Sequence, residues 1–278
     1  MKEIQKLTSR ENQKLKTVRK IRDGKVKDKI FVEGVRLAEE VLRSKLEINE
    51  VFVSENFINS ERESDLINKI LSETGNIFEL PEEIFKSTAD TKQPQGIILI
   101  AKKPVSSKLE IEFGLKVKSL RTPIVIFLNE INNPSNLGAI LRTAEAAGVA
   151  GVIISEKSAD VFSPKSMRAA LGANLRLPIW ENAEFDEVLI WANTQNLIST
   201  AADINAEKSF TQLNWNYPRL LIFGSEAHGL SEDARAKIAE LTFIPMENNV
   251  ESLNLAVSCG IILFEAKRQI CDAETRTK

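Results

Sequence analysis

Three short blocks in the second half of the chain gather amide, hydroxyl, carboxylate and guanidinium groups at the ends of apolar runs. The first is Asn132-Asn133-Pro134-Ser135-Asn136-Leu137-Gly138-Ala139-Ile140-Leu141-Arg142-Thr143-Ala144. The second is Phe223-Gly224-Ser225-Glu226-Ala227-His228-Gly229-Leu230-Ser231, and the third is Ile244-Pro245-Met246 leading into Glu251-Ser252-Leu253-Asn254-Leu255-Ala256-Val257. Each sits where an apolar strand run ends and a helix begins, which is where open α/β sheets hold their ligands. In the first block Pro134, Ser135 and Gly138 mark a strand-to-helix turn, ringed by the amides of Asn129, Asn132, Asn133 and Asn136. Arg142 follows Asn136 by six residues. A guanidinium there can grip a phosphate or lower the cost of a nearby oxyanion, and a structural ion pair with Glu145 is the other reading.

In the second block Gly224 and Gly229 permit close backbone approach. Glu226 can accept hydrogen bonds from main-chain amides or from Arg142. His228 is the one histidine of the chain, but its place between Ala227 and Gly229 predicts an exposed turn rather than a proton-transfer site. Ser231 followed by Glu232 and Asp233 predicts an N-cap with acids in the first turn. In the third block Ile244-Pro245-Met246 ends a strand with main-chain groups free to meet a flat ligand, and Pro245 supplies no donor. A helix is expected from about Glu251 to Gln269, capped by Ser252, with Asn254 able to reach a substrate hydroxyl.

The elements that must carry these blocks follow from periodicity. Strand runs are predicted at Pro123–Leu128, Gly151–Ile154, Leu197–Thr200, Leu220–Phe223 and Leu241–Ile244, separated by helical segments. Strands and helices alternating in this way read as a parallel sheet with right-handed crossovers. The N-terminal part predicts strands at Lys29–Gly34, Val51–Val53, Ile77–Leu80 and Ile97–Ile100. Its helices carry Leu15, Val18 and Ile21, then Val35, Ala38, Val41 and Leu42, then Leu66, Ile67, Ile70 and Leu71, giving a small α/β/α layer. The Lys- and Ser-rich stretch 102–121 lacks a strand pattern and is expected to be a linker. The domain boundaries expected are 1–104, a linker at 105–120, and 121–278. The last helix is apolar nearly all round, through Leu253, Leu255, Ala256, Val257, Ile261, Ile262, Leu263, Phe264 and Ala266. Such a helix needs cover on most faces, and a homodimer contact is favoured over an internal core helix.

Composition narrows the function classes. The 278 residues are 43% hydrophobic and 27% charged, as in a soluble globular protein. No apolar run approaches the ~18 residues of a membrane span. The N-terminus lacks the apolar core of a secretory signal, and Cys259 and Cys271 suggest neither a disulfide framework nor a metal site, so a reducing cytoplasm is expected. Net charge is −2, yet residues 1–30 carry +7 and the rest −9. That basic arm suits an anionic partner at one end, or else a solvated charged helix. No G-x-G-x-x-G, P-loop or H-E-x-x-H occurs, and one histidine makes a hydrolytic triad improbable.

In order and spacing the three blocks resemble the motifs of the SpoU (TrmH-type) RNA ribose 2′-O-methyltransferases. The stretches Thr8-Ser9-Arg10-Glu11-Asn12, Phe31-Val32-Glu33-Gly34-Val35-Arg36-Leu37 and Gln95-Gly96 resemble the small L30e-like RNA-binding domain of many members. The resemblance implies a SPOUT-type parallel sheet with a C-terminal trefoil knot, preceded by the L30e-like domain. It implies S-adenosylmethionine as methyl donor, held by Gly224, Ile244, Met246 and Leu253 largely through main-chain atoms. Asn136, Arg142, Glu226, Ser252 and Asn254 match the family's functional polar positions, and Arg142 matches the arginine proposed to help deprotonate the ribose hydroxyl. No metal is implied. Structured RNA, foremost 23S-type ribosomal RNA, is the implied partner, with Arg10, Lys14, Lys16, Arg19, Lys20 and Arg36 as candidate contacts. A homodimer through the knot and last helix is implied as well. Transfer RNA is the alternative substrate, and an RNA-binding assembly protein without methyl transfer the alternative class. Two departures stand out: Ala256 replaces a usual hydroxyl residue, and Ala170 a usual serine.

Overall fold

The computed structural model describes residues 4–60, 63–117, 122–248 and 250–276. In chain order the first elements are β1 (Gln5–Lys6), α1 (Gln13–Arg22), β2 (Lys29–Glu33), α2 (Val35–Arg43), β3 (Ile48–Ser54), α3 (Glu55–Ile58), α4 (Ser64–Glu73), β4 (Ile77–Leu80), α5 (Glu82–Thr88) and β5 (Ile97–Lys102). There follow α6 (Lys108–Val117), β6 (Ile124–Leu128), α7 (Pro134–Ala147), β7 (Gly151–Ser155), α8 (Pro164–Ala170), β8 (Ile179–Ala183), α9 (Phe185–Thr194), β9 (Ile198–Ala202), β10 (Arg219–Phe223), α10 (Glu232–Ala236), β11 (Glu240–Thr242) and α11 (Leu255–Arg276). They form two compact units, one of Met1–Val105 with Val161–Arg176, the other of Ser106–Asp160 with Leu177–Lys278.

The first unit is built on a five-stranded sheet of order β1-β4-β3-β5-β2, in which β5 runs antiparallel to both neighbours. Leu15, Val18 and Ile21 lie on one stripe of α1 and are buried against Phe31, Phe52 and Phe78. Phe52 and Phe78 stack at 5.2 Å, and Asn12 caps the helix by accepting from Lys14 N at 2.9 Å. This unit also holds α8, from the second half of the sequence. Met167, Ala170 and Ala173 are buried there, Arg168 pairs with Asp90 at 2.7 Å, and Arg176 pairs with Glu40.

The second unit is a six-stranded, wholly parallel sheet of order β11-β9-β10-β6-β7-β8. β6 and β10 are central and every one of their residues is buried, which is why Ile124–Leu128 and Leu220–Phe223 read as unbroken apolar runs, with the buried Arg219 at the start of β10. The core joins Phe127, Ile153, Trp180, Trp191, Leu220 and Ile222.

Two sequence expectations change here. The stretch expected as a linker carries α6, whose Ile111 is fully buried among the second unit's core residues and whose Glu112 accepts from Trp191 Nε1 at 2.9 Å. Lysine-rich composition hid a helix with one deeply buried anchor. The last helix begins at Leu255 rather than Glu251 and runs to Arg276. Its apolar residues are not all covered: Cys259, Ile262, Leu263 and Ala266 are buried, whereas Val257 and Phe264 are about half exposed.

Candidate active site

Strands β6 and β10 are neighbours, with Leu128 opposite Phe223, and Asn129 N extends the ladder by donating to Phe223 O at 2.9 Å. The loops that leave their C-terminal ends therefore start side by side, where the chain departs from β6 towards β7 on one side and from β10 towards β11 on the other. The first loop turns into α7 with Asn133 as N-cap, its Oδ1 accepting from Ser135 N at 2.9 Å, and Pro134 in the first turn. The second closes on itself: Ser225 N donates to Gly229 O at 3.1 Å and Gly229 N to Ser225 O at 2.9 Å. His228 is exposed, and its backbone amide donates to Ser225 Oγ at 3.2 Å. Gly229 adopts φ +63°, a left-handed conformation glycine takes without strain.

Glu226 joins the two loops. Its carboxylate accepts from Asn132 N, Asn133 N and Asn136 Nδ2, each at 3.2 Å. Partial burial pushes this carboxyl up, but the backbone amides of Glu226, Asn132 and Asn133 and the Asn136 side chain outweigh it, holding it below the ordinary carboxylate range. The N-terminus of α7 adds a favourable dipole. Because the folded value is depressed, the stabilising contribution is complete above the unfolded value of 4.5 and is lost as pH falls through the lower folded value. Glu226→Gln is therefore expected to lower the melting temperature at pH 7, with the gap to wild type closing at acidic pH, below 4.5. Parallel thermal melts at the two pH values check this.

The chain of bonds continues. Asn136 Oδ1 accepts from Asn254 Nδ2 at 3.0 Å, and Asn254 Oδ1 accepts from Ala256 N at 2.9 Å and Val257 N at 3.4 Å. Asn254, not Ser252, is thus the cap of α11. Ser252 is exposed and forms no hydrogen bond among the described residues. One relay, Asn254–Asn136–Glu226, links the third block to the first and second, and its ends rest on two helix N-termini.

Arg142 lies on α7 behind Asn136. It is exposed and makes neither ion pair nor hydrogen bond among the described residues, so the Glu145 pair is not formed and Arg142 is not a donor to Glu226. Gly224 is buried, and a Cβ built on it meets Gly229 C at 2.4 Å. Ile244 and Met246 are half buried, and the main-chain groups of Ile244-Pro245-Met246 form no hydrogen bonds among the described residues. Leu253 is 37% exposed.

In the first unit the candidate cations divide. Arg10 pairs with Glu83, Lys14 with Glu50 and Lys16 with Glu11, at 3.6, 2.7 and 2.7 Å. Arg19 donates to Arg10 O at 3.1 Å. Lys20 and Arg36 are exposed and have no side-chain partner among the described residues.

The model of the SpoU rRNA methylase family matches residues 123–264, the span that carries all three blocks. The chain belongs to the SpoU rRNA methylase family. Residues 2–99 of this SpoU chain match an MRM3-like substrate-binding domain. It is 27% identical to an uncharacterized tRNA/rRNA methyltransferase of Synechocystis, over 98% of this chain and 97% of that one. It is 28% identical to the Bacillus subtilis 23S rRNA (guanosine(2553)-2′-O)-methyltransferase RlmP, over 95% and 100%. Its fold is that of an AdoMet-bound rRNA methyltransferase from Sinorhizobium meliloti, with a TM-score of 0.80, 24% identity, and 95% and 98% of the two chains covered.

Proposed function

We propose that this chain transfers a methyl group from S-adenosylmethionine to a ribose 2′-hydroxyl of RNA, with 23S-type ribosomal RNA as substrate. The observation that carries the reading is the closed Asn254–Asn136–Glu226 relay, with Arg142, unpaired among the described residues, on the same helix as Asn136. Three accepted hydrogen bonds tie Glu226 to the first loop, so this carboxylate fixes the loops rather than taking up a proton. A guanidinium does not lose its proton in a protein, so Arg142 acts by charge, stabilising the oxyanion character that a ribose hydroxyl gains as it becomes a nucleophile and its proton leaves to solvent water. Ser252 and Asn254 border the same place and orient the sugar.

The groups for the donor fit as well. The unpartnered main-chain amides and carbonyls of Ile244–Met246, with the apolar flanks of Ile244, Met246 and Leu253, suit the edge and face of an adenine. Gly224 keeps the neighbouring loop closed. When bound, the donor supplies a sulfonium methyl, an electrophile whose reactivity is its own, so the protein's task is orientation and charge. A trefoil knot at the C-terminal end of the sheet and a homodimer belong to the same reading. Val257 and Phe264, with Val250 and Leu253, leave apolar surface on and before α11 for a second copy to cover. A cytoplasmic location agrees with a ribosomal RNA substrate and with two free cysteines, and no helix among the described residues is long and apolar enough to cross a membrane.

RNA would be gripped by the first unit. Because Arg10, Lys14 and Lys16 already have carboxylate partners, the counterions released from the RNA phosphates are displaced chiefly by the cations with no partner among the described residues. Replacing Lys20 and Arg36 together by alanine is expected to flatten the slope of log affinity against log salt by roughly 1.5, more than the Lys14 and Lys16 pair does. Filter binding over a salt series reads this, and equal slopes would count against Lys20 and Arg36 as phosphate contacts. The function itself is tested by mapping 2′-O-methyl groups in ribosomal RNA from cells with and without the protein, where one site should disappear.

A further inference from the structure

We propose that Ser155 and Ser158 are positioning residues for methyl transfer, holding the loop that carries Asn132 and Asn133 and leads into α7 with Asn136. The proposal rests on the function assigned above. Four consecutive backbone amides of this loop meet side-chain acceptors from other segments. Glu130 N donates to Ser155 Oγ at 2.7 Å and Ile131 N to Ser158 Oγ at 3.1 Å, while Asn132 N and Asn133 N go to Glu226. The β6–β7 ladder ends at Leu128 opposite Ile154, so Ser155 is the first residue past it and faces the start of the loop.

The serine turn is itself fixed. The two hydroxyls lie 3.1 Å apart, Ser158 N donates to Ser155 O at 3.1 Å, and Ala159 N donates to Ile131 O at 2.8 Å. Lys157 reaches the Glu130 carboxylate at 3.4 Å. Held between the serines and Glu226, Glu130 adopts φ +60°. A side chain in that left-handed region is strained, and it persists only where surrounding bonds over-determine it. Ser155 is 7% exposed, so loss of its hydroxyl strands the Glu130 amide away from water. Without both hydroxyls Glu130 relaxes to negative φ, the loop rotates, and the Asn132 and Asn133 amides leave the carboxylate. The Asn136 amide then loses its fixed orientation. Nothing in this change touches the RNA-gripping cations, so it acts on turnover and not on RNA affinity.

The test compares Ser155→Ala, Ser158→Ala and the double variant with Ser158→Thr, which keeps the hydroxyl. Thr194→Ala, which removes a hydroxyl bond to Trp191 O on α9, is the control for a merely structural loss. The double variant should show kcat about tenfold lower with KM for RNA within about twofold of wild type. Amide hydrogen exchange at Glu130 and Ile131 should accelerate by about tenfold. Ser158→Thr and Thr194→Ala should leave both readouts near wild type. A wild-type kcat in the double variant overturns the proposal, as does an equal fall in Thr194→Ala. If the double variant does not fold, wild-type kcat in both single variants overturns it. If the wild-type protein methylates no RNA, the functional reading fails separately, and unchanged exchange at residues 130 and 131 then refutes the serine clamp by itself.

Discussion

Arg142→Ala is expected to lower the rate of methyl transfer by about 10³-fold while RNA affinity stays within about twofold. The reason for so selective an effect is that Arg142 is exposed on α7 with no ion pair or hydrogen bond among the described residues to lose. Its removal leaves no buried charge, so the change in stability should stay within about 0.5 kcal/mol, as for ordinary surface positions. The loss falls on the step in which a sugar oxygen gains negative character, because that charge is what a neighbouring guanidinium stabilises. Arg142→Lys keeps the charge but not the planar fork, and should retain an intermediate rate. Initial rates at saturating donor, with thermal melts alongside, check the set. Wild-type turnover by Arg142→Ala removes this residue from the chemistry.

Gly224→Ala is expected to damage fold and activity together. A Cβ at residue 224 would stand 2.4 Å from Gly229 C, 2.5 Å from Gly229 O and 2.7 Å from Leu230 N. These are backbone atoms, locked by the reciprocal bonds between Ser225 and Gly229, and no side-chain rotation can clear them. The loop must move by several tenths of an ångström or more. That breaks the reciprocal pair and draws Glu226 away from Asn132 and Asn133. We expect a loss of about 2 kcal/mol in stability, in the range of overpacking, and at least about tenfold in turnover. Gly229→Ala separates sterics from strain. Nothing lies within 4 Å of its Cβ, but φ is +63°, so it should cost about 1 kcal/mol through backbone strain and leave more activity. Chemical denaturation and initial rates compare the two, and equal effects would contradict the clash.

What could be read from the sequence follows from which features are local. β6 is buried on both faces and apolar throughout, β10 is apolar from Leu220 onward after the buried Arg219, and both stand where their runs predict. β8 was not visible because it is an edge strand of Ile179-Trp180-Glu181-Asn182-Ala183, with polar residues in its second half, a register shift against β7 and Asn182 at φ +57°. The placement of α8 in the first unit was equally hidden, since the chain alone does not say which sheet Met167 and Ala170 will cover. At the site, the motif residues Asn136, Glu226 and Asn254 were legible as types, and Glu226 as an acceptor of main-chain amides. Their joining into one relay was not, because it depends on contacts across 90 and 118 residues of chain. The cap at Asn254 in place of Ser252 turned on which of two short polar side chains reaches the free amides of α11. Ser155 and Ser158 carried no signal, as a serine after a strand is commonplace, and only the position of Glu130 gives their hydroxyls a task.

The account stands or falls on where a methyl group ends up. Purified protein would be incubated with RNA and S-adenosylmethionine labelled in its methyl group, and the RNA then hydrolysed in alkali, which needs a free 2′-hydroxyl to cleave the neighbouring phosphodiester. The account predicts that the label survives in alkali-resistant dinucleotides. Label recovered in mononucleotides, on a base, or no label in RNA at all would contradict it.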